Sequence, residues 1–171
     1  MPLEQAKKHQ VNEICDLVNL AYRGEQGWTT EAQLVQGNRC MPNEVISYLS
    51  NPNTHLLVLI KDKQVQACIC IEQKEDCAYI GFFAVHPNSQ GQGVGKEVLL
   101  QAEQFALVHL NVTKAVMVVI SQRIELIEYY ESRGYCRVGK IQDYPVDLQV
   151  GVPFKAGMTI EYLEKCISPI E

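Results

Sequence analysis

No apolar run in this 171-residue chain approaches the about 20 residues that a helix needs to cross a bilayer. The opening MPLEQAKKHQ also lacks the apolar segment of a secretory leader. The expectation is therefore a protein that is neither exported nor embedded and works in the cytoplasm. Positive charge is in deficit: 15 Lys and Arg stand against 20 Asp and Glu, a formal net charge of −5. That balance argues against a general phosphate-binding surface for DNA or RNA. No two of the seven cysteines (15, 40, 68, 70, 77, 136 and 166) form a CxxC pair, and the four histidines have no metal-ligand spacing. No metal is implied, and an odd set of unpaired thiols fits a reducing compartment. Cys68 and Cys70 share one face of a strand and read as small hydrophobic core filler. Internal repeats, low-complexity tracts and linkers are absent too, so the length and the 47% hydrophobic content point to one domain.

Periodicity supplies the elements. Val11, Ile14, Cys15, Val18, Ala21 and Tyr22 recur at steps of three and four and predict a helix to about Tyr22, after a short edge strand around Leu3 to Ala6. The polar stretch from Arg23 to Arg39 reads as a lid or substrate loop, with a short helix capped by Thr30 and continuing through Leu34. Pro42 followed by Val45, Ile46 and Leu49 predicts another short helix. The period then changes to two: His55 to Ile60, Val65 to Ile71 and Tyr79 to Val85 predict three antiparallel strands with tight turns at Asp62-Lys63 and Lys74 to Asp76. Lys96 to about Leu110 is helical, and Ala115 to Ile120 is apolar on both faces, as an interior strand would be. Ile124 to Arg133 is a short helix with Gly134 as a left-handed cap, and Cys136 to Ile141 and Met158 to Lys165 close the pattern as strands. The order is α/β of the α+β kind: one mixed, mostly antiparallel sheet of six to seven strands flanked by helices.

Gln90-Gly91-Gln92-Gly93-Val94-Gly95-Lys96 lies between a predicted strand and a predicted helix, where consecutive backbone N–H groups can converge on an anion. Glycine there allows positive φ and lets phosphate oxygens approach without meeting a Cβ. The helix dipole and Lys96 add positive charge. Three kinds of phosphate loop separate by spacing. A P-loop needs Gly at 90 and Ser or Thr at 97, where this chain has Gln90 and Glu97. A dinucleotide fingerprint from Gly91 needs its third glycine at Lys96 and a βαβ unit before it. What remains is Gln-x-x-Gly-x-Gly, met by Gln90, Gly93 and Gly95 after Ala84-Val85-His86-Pro87.

That segment resembles the acetyl-CoA signature of the GNAT superfamily of N-acetyltransferases. Tyr130-Glu131-Ser132-Arg133-Gly134-Tyr135 is similar to the family's Tyr-x-x-x-Gly-aromatic segment, and Arg123 stands where relatives often have Asn. The resemblance implies acetyl transfer from acetyl-CoA to a primary amine of a small-molecule or peptide acceptor, with a homodimer plausible. Phe83, Ala84, Val85 and residues Gln90 to Lys96 would hold the cofactor, on a strand that splays from Met117 to Ile120. A free N–H near Phe83 or Val85 would polarise the carbonyl, and Tyr130 would steady the departing thiolate. Relatives often carry a Glu on the strand before the loop, but Cys77 to Phe82 has no carboxylate. Glu25, Glu31 and Glu72 remain as bases, and the loop position of Glu31 makes it the preferred one. The acidic lid loop leans toward a cationic acceptor. His86, before Pro87, reads as a turn residue rather than a catalytic one. The rival reading is a protein of the same fold that binds or senses acyl-CoA without turnover.

Overall fold

The computed structural model describes residues 1–148 and 150–170. A two-residue strand β1 (Glu4–Gln5) leads into α1 (Val11–Arg23), whose apolar stripe buries Ile14, Cys15, Leu17 and Val18. After the loop come β2 (Val35–Gln36) and α2 (Pro42–Ser50), the latter opened by a proline whose missing N–H costs the first turn nothing. The meander β3 (Thr54–Lys61), β4 (Gln64–Lys74) and β5 (Cys77–Val85) follows. Asp62 and Lys63 both adopt positive φ (52° and 65°), which turns β3 into β4 in two residues without the usual glycine. Then come α3 (Val94–His109), β6 (Lys114–Ile120), α4 (Ile124–Glu131), β7 (Cys136–Asp143), β8 (Val152–Pro153) and β9 (Thr159–Cys166). Gly134, at φ 96°, ends the α4 segment as the sequence predicts.

Seven strands form one sheet in the order β1-β3-β4-β5-β6-β9-β7, with β5 and β6 its parallel pair and the other neighbours antiparallel. Its two faces carry separate cores. Residues alternate along β4, so Ala67, Ile69 and Ile71 pack under α3 with Val98, Leu99, Ala102 and Ala106, while Cys68 and Cys70 pack with Ile14, Val18 and Val45 of α1 and α2. Burial pushes the Cys68 thiol up to about 12, as expected of an inert packing cysteine.

Two expectations need correction. Residues 32–34 form a turn rather than a helix: the Thr30 hydroxyl accepts from the Ala32 N–H (3.1 Å) and donates to the Tyr22 carbonyl (3.2 Å). The chain then enters β2, which pairs with β8 in a second, two-stranded sheet that has no periodic signal in the sequence. β6 is also not interior along its whole length, because Val118 is 42% exposed where β5 has left its side.

Candidate active site

The site begins with a defect in β5. Cys68 faces Ala84 and Cys70 faces Gly81, so Phe82 and Phe83 together oppose one residue, Ile69: a bulge in which Phe82 takes φ 49°. An aromatic residue in the left-handed region is strained, and such strain is held in place by the surrounding packing. Here Tyr48 meets the Phe82 ring edge-on at 5.2 Å and the Arg39 guanidinium lies 5.5 Å above it. The bulge bends β5 away from β6. The two strands pair at Cys77 with Lys114, Ala78 with Ala115 and Tyr79 with Val116, and no further. This is the splay that the sequence resemblance implies.

Two cavities flank the gap, of about 320 Å³ and about 280 Å³. Tyr22, Phe83, Arg123, Leu126 and Tyr130 belong to the walls of both, so the cavities meet across the end of the splay. The first runs along the glycine-rich turn. Gly91 and Gly93 have φ of 73° and 78°, and a Cβ built on either would meet no protein atom within 4 Å. The space above them is therefore left open by the protein, and Gly93 is the residue from which α3 starts. Gly95 has ordinary φ, and its role is room: a Cβ there would lie 3.3 Å from the Tyr129 hydroxyl. Of the residues expected to hold a cofactor, Phe83, Ala84, Val85, Gln90, Gly91, Gly93, Gly95, Lys96 and Tyr130 line this cavity. The side chains of Gln92 and Val94 do not: Gln92 donates to the Asn88 carbonyl (3.0 Å), and Val94 packs against the core.

Gln90 does something the sequence did not suggest. Its amide nitrogen donates to the Val85 carbonyl (2.9 Å) and its amide oxygen accepts from the Trp28 N–H (2.9 Å). The loop after α1 is thereby tied to the glycine-rich turn. On the other wall, the Thr29 hydroxyl accepts from Arg123 (2.9 Å) and donates to Glu125 (2.7 Å). Residues 28 and 29 thus bridge both sides of the first cavity. Trp28 leans on Tyr129 (5.7 Å between rings), and Arg133 lies 5.0 Å above that same ring. Lys96, Arg123 and Arg133 give this cavity three cations in an otherwise acidic protein, and the Arg133 Nε is buried with no hydrogen-bond partner among the described residues. Sequence reasoning missed Arg133, although it lies four residues after Tyr129, the spacing at which side chains share a helical face.

Tyr130 is buried, with its ring between those of Tyr129 (5.4 Å) and Tyr135 (6.0 Å), and its hydroxyl has no hydrogen-bond partner among the described residues. Burial holds its phenol well above the usual tyrosine value, with Arg123 pulling the other way, so it stays protonated and able to donate. The Phe83 N–H is not free: it donates to the Tyr22 hydroxyl at 3.2 Å. His86 serves the turn, its Nδ1 accepting from the Asn88 N–H (3.2 Å).

Glu31 lines the second cavity but is not the solvated loop carboxylate its position suggested. It is 3% exposed, with one oxygen on Arg23 Nε (2.9 Å) and the other 3.7 Å from Arg123. Both oxygens being occupied by guanidinium groups leaves this carboxylate poorly placed to take a proton from an amine. Replacing Glu31 by Gln is expected to lower stability by roughly 3 kcal/mol, since buried Arg23 loses its counter-ion and Arg123 keeps only the more distant Glu125. Thermal unfolding measures that loss, and any fall in activity should not be restored by raising the pH.

The sequence matches the model of the acetyltransferase (GNAT) family over residues 12–135. The chain belongs to this family. It is an acyltransferase, and the seven-stranded mixed sheet with four flanking helices is the GNAT fold. Among solved structures it resembles the ribosomal-protein-S18-alanine N-acetyltransferase of Escherichia coli, with a TM-score of 0.69 and 16% identity over 99% of this chain and 95% of that one. It also resembles the spermidine N-acetyltransferase of Vibrio cholerae in complex with CoA and spermine, with a TM-score of 0.70 and 12% identity over 96% and 94%. A third is the smu.2055 protein of Streptococcus mutans, with a TM-score of 0.74 and 14% identity over 98% and 100%. At such identities the likeness is one of fold. No curated protein matches the chain.

Proposed function

We propose that this GNAT protein transfers an acetyl group from acetyl-CoA to a primary amine by direct attack on the thioester. The observation that carries the reading is the union of two cavities at one strand splay, with Tyr130 in the wall of both. The first cavity has the chemistry to hold a pyrophosphate and an extended arm: open backbone at Gly91 and Gly93, the N-terminus of α3, Lys96 and Arg133. The gap beyond Tyr79 leaves β5 without a neighbour on its β6 side, so its main chain can take the arm's amides as a strand would. The second cavity takes the amine.

In this reading a C–N bond forms as the C–S bond breaks, the amine gives up its proton, and the Tyr130 hydroxyl donates to the departing sulfur. A phenol is a weaker acid than a thiol, with ordinary values of about 10 and about 8.5, so a strong hydrogen bond rather than complete transfer is the contribution. The Phe83 N–H reaches the thioester carbonyl only if Tyr22 gives it up, and the Arg123 Nε–H, which makes no hydrogen bond, is another donor at that place. Glu31 holds Arg123 and Arg23 in position, and the proton leaves through water in the second cavity.

The competing reading, a sensor that binds acyl-CoA without turnover, draws support from one feature: no lining carboxylate at the junction is free of a cationic partner among the described residues. Two measurements decide. Titration with acetyl-CoA should shift the backbone amide signals of residues 82–96, and thiol should then be released only when an amine is added. Unshifted signals would end both readings, whereas shifts without thiol release from any amine would favour the sensor.

A further inference from the structure

The charges that line the second cavity differ in how fully the protein itself uses them. Four titratable side chains of fixed charge line it: Arg39, Arg123, Glu31 and Glu72. Both acids are already neutralised, Glu31 by Arg23 and Arg123, and Glu72 at the rim by Lys74 at 3.5 Å. With Glu44 counted as the partner of Arg39 and Glu125 as a second partner of Arg123, the cavity and its supporting pairs balance at four cations and four carboxylates. An ammonium group entering here finds no unpaired carboxylate among the described residues.

Arg39 is the reverse case. It is fixed from three directions: its Nη1 reaches Glu44 (3.1 and 3.4 Å), and its guanidinium lies over the rings of Tyr22 (5.4 Å) and Phe82 (5.5 Å). Its Nε and Nη2 make no hydrogen bond among the described residues, and neither is sealed off from solvent. A pre-positioned guanidinium with spare N–H groups facing a cavity is suited to a carboxylate. Deeper in, Arg123 is 5% exposed and its Nε makes no hydrogen bond, while Glu31 and Glu125 lie 3.7 and 3.9 Å from its guanidinium and balance its charge.

Resting on the acetyl-transfer reading above, we propose that the acceptor carries a carboxylate close to its amine, as an amino acid does, and that Arg39 binds it. This reverses the lean toward a cationic acceptor that the acidic loop suggested. It also sets this chain apart from an enzyme built for polyamines, whose cationic substrates need unpaired carboxylates.

The test compares kcat/KM at fixed acetyl-CoA for phenylalanine, tyrosine and lysine with their decarboxylated counterparts phenethylamine, tyramine and cadaverine, and with spermidine. Phenylalaninamide controls for amine basicity, because it lacks the carboxylate yet has a less basic amine than the free acid. The free acids should exceed the amines and the amide by about tenfold or more, the scale of charged hydrogen bonds. Arg39→Gln should lower kcat/KM for the free acids about tenfold more than for the amines, whatever loss the two classes share, and Arg39→Lys should keep part of the preference. Equal or better use of the amines, the amide or spermidine by the unaltered protein overturns the proposal whether or not the variants fold. So does an Arg39→Gln protein that loses both classes equally. If no acceptor is turned over, calorimetry with phenylalanine and phenethylamine on the CoA-loaded protein applies the same criterion. Absence of any acyl-CoA binding would instead reject the acetyl-transfer reading itself.

Discussion

Replacing Tyr130 by Phe should reduce turnover about 100-fold while leaving the affinity for acetyl-CoA nearly unchanged. The substitution removes one oxygen from a ring that stays packed between Tyr129 and Tyr135, so the cavity walls should persist. No hydrogen bond between protein groups is lost, because the hydroxyl has no protein partner among the described residues. The loss therefore falls on the step at which charge develops on sulfur, where a single positioned donor acts most strongly. Burial raises the phenol above its ordinary value, so the unaltered protein should show no decline in turnover from tyrosine ionisation near pH 10. Single-turnover thiol release with parallel calorimetry separates the two quantities. Equal turnover in the two proteins would mean that the ring is only packing.

Gly93→Val should weaken acetyl-CoA binding about 100-fold. A β-branched residue at φ 78° is a genuine outlier, costing of the order of 1–3 kcal/mol of strain. No protein atom lies within 4 Å of the added Cβ, so the strain comes from the backbone rather than from a clash. The turn relieves it by moving, and the N–H groups at the start of α3 then no longer converge. Two charge-assisted hydrogen bonds at about 1.5 kcal/mol each account for the expected loss. Gly95→Ala makes the contrast, since its φ is ordinary and its Cβ would be tight only against the Tyr129 hydroxyl at 3.3 Å, with Phe83 and Val85 at ordinary contact distances of 3.7 and 3.8 Å. A milder effect is expected there, and calorimetry on both variants checks the order.

The parts of this molecule that were readable from sequence are those whose cause is local. The alternation of Ala67, Ile69 and Ile71 follows from one face of the strand lying under α3, and the structure buries all three there, while a register shift beside Gln66 turns Val65, the first residue of the same pattern, to the opposite core. The glycine-rich turn was legible because two of its glycines sit at positive φ, which few other residues accept. What was not legible depends on distant partners. β2 and β8 are two residues each, separated by more than a hundred positions, and neither is long enough to carry a period. Thr30 did signal a cap, but the turn it caps feeds that small sheet instead of a helix. Glu31 reads as a loop charge until Arg23 and Arg123 close on it, and Arg123 reads as a lost Asn until its burial makes it a cation shared by two cavities. Val118 shows the same limit: its apolar neighbours made the strand look enclosed, and only the early end of the β5–β6 pairing uncovers it.

That early ending divides the main sheet into a four-stranded and a three-stranded ribbon, joined through three paired positions at one end. A molecule lying in the opening would serve as the absent strand and fasten the ribbons together, so occupancy and mechanical integrity become one quantity. A ligand held at a hundred times its dissociation constant would add about 2.7 kcal/mol to the folded state, and the protein would be at its most pliable in the moment between losing one coenzyme and gaining the next.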